Sequence, residues 1–230
     1  MGKTVNFIEL IARGKFPEEL IGTWIVMAIL LGFGLIARRA LARAADPIMP
    51  DEGLSIRSIA ETMVEMIDSF VQSVMATHDY RKMVPFLGSL FLFILAANLF
   101  GLIPGLEPPT ANSNLTFALG CVSFGYFIYQ GFAANGIGYL RNFLGPILLL
   151  APLMLPIEIA DHLFRPFSLG VRLYANMFAD HQVLSIFVGL TKLVVPVAFY
   201  ALGAIVCVIQ ALIFVVLTMS YIKLAQSHEH

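Results

Sequence analysis

The chain has 230 residues, of which 59% are hydrophobic and only 13% charged, with a mean hydropathy of +0.85. A soluble domain carries about twice that charged share, so the solvent for most of this chain is lipid. A formal net charge of −1 excludes the basic surface of a general nucleic-acid binder.

Residues 1–19 mix Lys3, Glu9, Arg13, Lys15, Glu18 and Glu19 with short apolar stretches. They show no signal-peptide pattern, so membrane entry falls to the first spanning helix. Residues 20–37 form that helix, with Trp24 near its start, where an interfacial indole is favoured, and Arg38, Arg39 and Arg43 following. In residues 54–76, Ile56, Ile59, Ala60, Met63, Ile67, Phe70, Val71 and Val74 recur at helical spacing. Arg57, Glu61, Glu65 and Asp68 take the other side, which makes an amphipathic helix for the membrane surface or for a partner subunit.

Residues 83–106 are a second span, ended by the breaker-rich Gly101-Leu-Ile-Pro104-Gly105. Residues 112–130 are a third, preceded by Pro108-Pro109 and followed by Gly131, Gly136 and Gly138. Residues 142–190 and 193–224 form a final hairpin, apolar but punctuated by polar residues. Cys121 and Cys207 lie inside apolar runs and read as small packing residues, not as a disulfide or a metal pair. The expected fold is therefore an all-α integral membrane protein, a single membrane domain over residues 1–230. It has about five crossings, an amphipathic surface helix and a long terminal hairpin. Arg38, Arg39, Arg43, Arg57, Arg81 and Lys82 lie between the first two spans, and residues 103–110 carry no Lys or Arg. The positive-inside rule then puts the basic segment and the C-terminus in the cytoplasm and the N-terminus outside.

The hairpin holds groups that are costly at membrane depth, at least about 2.5–3.5 kcal/mol each, and such groups are functional candidates by default. Between residues 157 and 182 these are Glu158, Asp161, His162, Arg165, Arg172, Asn176, Asp180 and His181. At about 100° per residue, Glu158, Asp161, Arg165, Arg172 and Asn176 fall within roughly 60° of one another, with Pro166 as a kink point. His181 projects from nearly the opposite face. Arg172 is the centre of this stripe: a guanidinium stays protonated and offers only donors. The places three and four residues away hold Ser168, Leu169, Ala175 and Asn176, so its counter-charge must come from another helix or another chain. A turn near residue 191 sets Gln210 level with Arg172. From spacing alone, Gln210 is either a functional neighbour or an interhelical hydrogen bond.

The string Arg172-Leu-Tyr-Ala-Asn176-Met-Phe-Ala, preceded by Pro156-Ile-Glu158 and Arg165-Pro-Phe-Ser-Leu, resembles the signature of subunit a of bacterial F-type ATP synthases. Three further stretches agree in the family's order: Phe93-Ile-Leu-Ala-Ala-Asn98-Leu-Phe-Gly-Leu-Ile-Pro104-Gly, Pro109-Thr-Ala-Asn112-Ser-Asn114-Leu-Thr, and Ile209-Gln210-Ala-Leu-Ile-Phe. The resemblance implies a stator subunit that gives protons access to a rotating subunit c ring through two offset half-channels. It implies that Arg172 faces the ring carboxylate, with Asn176 and Gln210 as polar neighbours. Glu158 matches the cytoplasmic half-channel, Asn114 and His181 the outer one, and Asp161 and His162 look like further wall residues.

The chain departs from the family pattern at two places. His181 stands where bacterial members often carry Glu, and Gly203 stands where a His or Glu is common, so Asp180 and His181 supply both titratable groups from one helix. The implied partners are the c ring, the subunit b peripheral stalk, the remainder of the synthase and the lipid bilayer of the bacterial inner membrane. No Ser-His-Asp arrangement, zinc spacing or phosphate loop is visible, so no catalytic residue, cofactor or metal is expected, and ATP would be made on other subunits. Two other readings compete. A secondary transporter would bind substrate at Glu158, Asp161 and Arg172, but the first half of the chain shows no matching charged stripe. An assembly scaffold would not need a permanent charge beside two carboxylates.

Overall fold

The computed structural model describes residues 18–42, 55–75, 80–103, 105–136, 151–190 and 194–226. The expectations placed on residues 1–17, Arg43, residues 142–150 and the turn at 191–193 lie outside them. The described residues contain six α-helices and no strand: α1 (Glu18–Ala42), α2 (Ile56–Met75), α3 (Val84–Phe100), α4 (Ser113–Asn135), α5 (Ala151–Leu190) and α6 (Val194–Gln226). The fold is all-α. Leu20–Ala42, Ser113–Asn135 and Val197–Gln226 are long and apolar enough to cross a bilayer. Helix α3 is equally apolar but has only 17 residues, about 25 Å of rise. The helices pack as two units that divide after Pro109.

In the first unit, α1 buries Val26 and leaves Trp24, Ile29, Leu31 and Leu35 exposed, an outer surface suited to lipid. Ser55 caps α2 by accepting the Ser58 N–H at 3.1 Å. The apolar stripe of α2 packs only at its C-terminal end, where Ile67, Val71 and Met75 are buried while Ile56 and Ile59 stay exposed. Gly88 of α3 is where Ile67 lands: a Cβ there would stand 3.2 Å from its methyl group. Arg57, assigned to the polar side by spacing, is instead buried at 7% exposure and paired with Glu61 at 2.6 Å, one turn on. The breaker-rich end of α3 folds back tightly, since a Cβ on Gly101 would sit 2.4 Å from Pro108.

In the second unit, α4, α5 and α6 pack against one another. Asn112 caps α4, its Oδ1 accepting the Asn114 N–H at 2.8 Å. Two glycines then let backbone meet backbone. A Cβ on Gly120 would lie 2.5 Å from the Pro166 carbonyl oxygen, and one on Gly170 would lie 3.1 Å from the Thr116 oxygen. Phe117 and Phe167 stack beside this crossing at 5.4 Å. Because Thr116 meets Gly170 while Phe127 meets His162, α4 runs antiparallel to α5. Helix α6 runs alongside α5, with Phe187, near the end of α5, stacked at 4.3 Å on Phe199, near the start of α6. At the far end Asn135 donates to the Ala225 carbonyl at 3.1 Å.

Helix α5 continues through both Pro156 and Pro166. Each proline removes one intrahelical donor, and at Pro166 the contact with Gly120 holds the backbone in place. Cys207 is buried as expected, whereas Cys121 lies on the exposed side of α4 and fills no space in this chain.

The crossing makes a sharp prediction. Gly120→Ala should destabilise the protein by about 1–3 kcal/mol, since the methyl group meets a carbonyl that cannot swing aside. Gly125→Ala, where a Cβ meets nothing within 4 Å, should be neutral. Unfolding of the two variants in mixed detergent, followed by circular dichroism, measures the difference.

Candidate functional site

The polar stripe of α5 runs along the border between its packed and open sides. Leu169, Leu173 and Met177 define the packed side. Glu158 and Asn176 are partly buried beside it, while Asp161 and Arg172 are exposed. Arg172 forms no ion pair and no hydrogen bond with any described residue. Its guanidinium is thus a permanent cation on an otherwise apolar stretch, open to a group from outside these helices. Gln210 lies partly buried on α6. Arg165 meets Tyr221 and Phe187 meets Phe199, a register that sets Arg172 level with Phe214. Gln210 therefore lies about one turn further on, roughly 6 Å of rise away and level with Asn176 rather than with Arg172 as the spacing suggested.

Below Arg172, three of the expected residues converge. Donor atoms of Glu158, Asp161 and His162 all lie within 4.8 Å of one another. His162 is buried at 9% exposure, and its Nδ1 lies 2.9 Å from the Glu158 backbone oxygen and 3.6 Å from Glu158 Oε1. An Nδ1–H donated to that carbonyl fixes the tautomer and leaves Nε2 as the basic nitrogen. These are donor types that suit a metal, but Asp161 is already taken by the Arg165 guanidinium, one turn further along α5. The resident cation of the cluster is an arginine.

Above Arg172, the arrangement is different. Asp180 is half-buried and within electrostatic reach of the buried Cys207 on α6. His181 has a buried Nδ1 with no hydrogen-bond partner among the described residues. A buried imidazole nitrogen left without a partner is costly, and in a membrane protein it is a candidate for water or proton contact. Gly203 is buried on α6, so no side chain there supplies a titratable group. Asn114, at the exposed start of α4, lies at the level of Arg172 rather than far above it, because the register that pairs Thr116 with Gly170 carries on.

Helical spacing put Arg165 in the polar stripe but gave it no role there. Its partner Asp161 stands four residues before it, a readable signal. The other contacts were not readable, since they come from distant helices: the guanidinium carbon lies 5.2 Å from the Tyr221 ring centre and 6.0 Å from that of Phe127. Ser123 and Thr218 line the same crevice, where Ser123 Oγ is buried without a partner among the described residues.

This architecture defines an all-helical membrane protein with a row of ionisable groups along one long helix. Residues 20–223 match the family described as ATP synthase A chain, and the chain belongs to that family. It is 42% identical over 201 residues to ATP synthase subunit a of Bdellovibrio bacteriovorus, covering 87% of each chain. It is 40% identical over 208 residues to ATP synthase subunit a of Nitratidesulfovibrio vulgaris, covering 90% of this chain and 85% of that one. A third relative, ATP synthase subunit a of Solibacter usitatus, is 46% identical over 154 residues, 66% of each chain.

Proposed function

We propose that the chain is the proton-translocating stator subunit of an F-type ATP synthase in the bacterial inner membrane. In this reading it sits beside the c ring, is braced by the subunit b stalk, and has its N-terminus outside and its C-terminus in the cytoplasm. It makes no ATP itself. The observation that carries the reading is Arg172, a permanent cation on a locally apolar stretch of α5 with no ion-pair partner among the described residues of its own chain.

The chemistry follows from charge in a low-dielectric medium. A ring carboxylate crosses lipid only when neutral, because a bare charge there is costly. Opposite Arg172 its ionised form is favoured, so it gives up its proton before passing the arginine and regains one afterwards. Asn176 and Gln210 flank the exchange point as neutral hydrogen-bonding groups. Glu158, with Asp161 and His162 in its wall, serves the cytoplasmic half-channel. Asp180 and His181, with Asn114, serve the outer one, where the buried Nδ1 of His181, without a partner among the described residues, is suited to relay protons. The positive charge of Arg172 also repels a proton moving directly between the two paths. A membrane potential supplies about 2.3 kcal/mol per charge per 100 mV and drives entry from outside during synthesis.

Arg172→Ala should abolish ATP-driven acidification of inverted vesicles while the complex still assembles. Undiminished pumping would remove the arginine from the mechanism. Arg172→Lys should also fail in coupled synthesis, because a lysine at membrane depth can lose its proton and an arginine does not. His181→Ala should lower pumping several-fold near neutral pH and alter its dependence on outer pH. A rate equal to wild type at every pH would make His181 structural.

A further inference from the structure

Arg165 plays no part in the chemistry assigned so far, yet its side chain is only 12% exposed, while that of its partner Asp161 is 54% exposed. Its guanidinium lies against Tyr221 of α6 and Phe127 of α4, whose rings are themselves 6.4 Å apart. A cation over aromatic faces, shielded from water, is held more firmly than one in solution. Phe127 also stacks toward His162, with 5.8 Å between the ring centres. Three helices therefore fix this one cation, and the cation fixes Asp161.

The charges around Glu158 can then be counted. Arg165 is permanently positive, and its guanidinium is paired with the Asp161 carboxylate. The other elements packed here add no fixed charge: α4 brings Ser123, Phe124 and Phe127, and α6 brings Thr218 and Tyr221. Among the described residues, Tyr221 is the ionisable group facing Arg165 from another helix, and Lys223 of α6 is exposed. Glu158, whose Oε1 lies 3.6 Å from His162 Nδ1, is the carboxylate of the cluster that no arginine holds among the described residues.

We propose that Arg165 is a positioning residue for proton transfer at Glu158: the Phe127–Tyr221 aromatic pair holds its guanidinium on Asp161, which takes Asp161 out of the proton traffic and sets the local charge that Glu158 meets. This rests on the half-channel reading above.

The test is ATP-driven pumping by inverted vesicles carrying the assembled complex, measured against pH on the cytoplasmic side. Arg165→Gln leaves the cluster more negative, so it holds a proton more tightly and the half-maximal pH should rise by about one unit, a tenfold change in apparent proton affinity. Adding Asp161→Asn to that variant restores the charge balance and should return the profile to the wild-type position. Arg165→Lys, which keeps the charge but stacks less well, should shift the profile by less than half as much. Should Arg165→Gln fail to assemble, Tyr221→Leu tests the same point, because loosening the guanidinium should move the profile in the same direction. Profiles of Arg165→Gln or Tyr221→Leu that differ from wild type in amplitude alone would overturn the proposal and leave Arg165 a packing residue. Arg172→Ala in the same vesicles keeps the two readings apart: pumping in that control would overturn the channel reading itself.

Discussion

The close approach of α4 to α5 is the constraint on which the functional half of this protein depends. At Gly120 there is no room for a Cβ and at Gly170 very little, so backbone lies against backbone. Dispersion contacts of this kind are what hold helices together when the surroundings are as apolar as the side chains. The crossing fixes which side of α5 is packed. Leu169, Leu173 and Met177 turn inward, and the polar stripe is left at the border with Arg172 on the open side. Moving the crossing by one residue would turn α5 by about 100° and bury the arginine with no partner.

Much of this was legible in the sequence, for identifiable reasons. Helix positions follow from long uncharged runs, because lipid forbids unsatisfied backbone groups and leaves the helix as the only local solution. The alignment of Glu158 with Asp161 follows from helical period, as does the opposite placement of His181. Arg57 shows where period fails. Spacing put it on the polar side of α2, but an ion pair with Glu61 and the reach of its aliphatic stem let it sit buried. The aromatic setting of Arg165 was illegible for another reason. Phe127 and Tyr221 are 38 and 56 residues away in sequence, and only the register of three helices brings them to one cation.

Two arginines on one helix thus meet opposite fates, and the contrast is physical. Arg165 has a carboxylate one turn away and two rings over its plane, so its charge is satisfied inside the chain. Arg172 is flanked by Ser168, Leu169, Ala175 and Asn176, none of which can neutralise it. A satisfied cation is a fixed part of the scaffold, whereas an unsatisfied one is a binding energy held ready for an incoming anion.

Helix length adds the last element. Val197–Gln226 is apolar over 30 residues, about 45 Å of rise, against a hydrocarbon layer of about 30 Å. A helix that much longer than the layer it crosses tilts or leaves its ends in the interface, and α5 packs alongside. Glu158 and His181 are separated along α5 by about 35 Å, which any tilt divides between depth and lateral displacement. Two water paths leading to those residues from opposite faces would then not overlap, and a proton could pass from one to the other only by being carried sideways. An upright helix would stack the two paths one above the other, with only the charge of Arg172 to stop a leak. In the proposed reading a tilt and the arginine would enforce the same separation, one by geometry and one by charge.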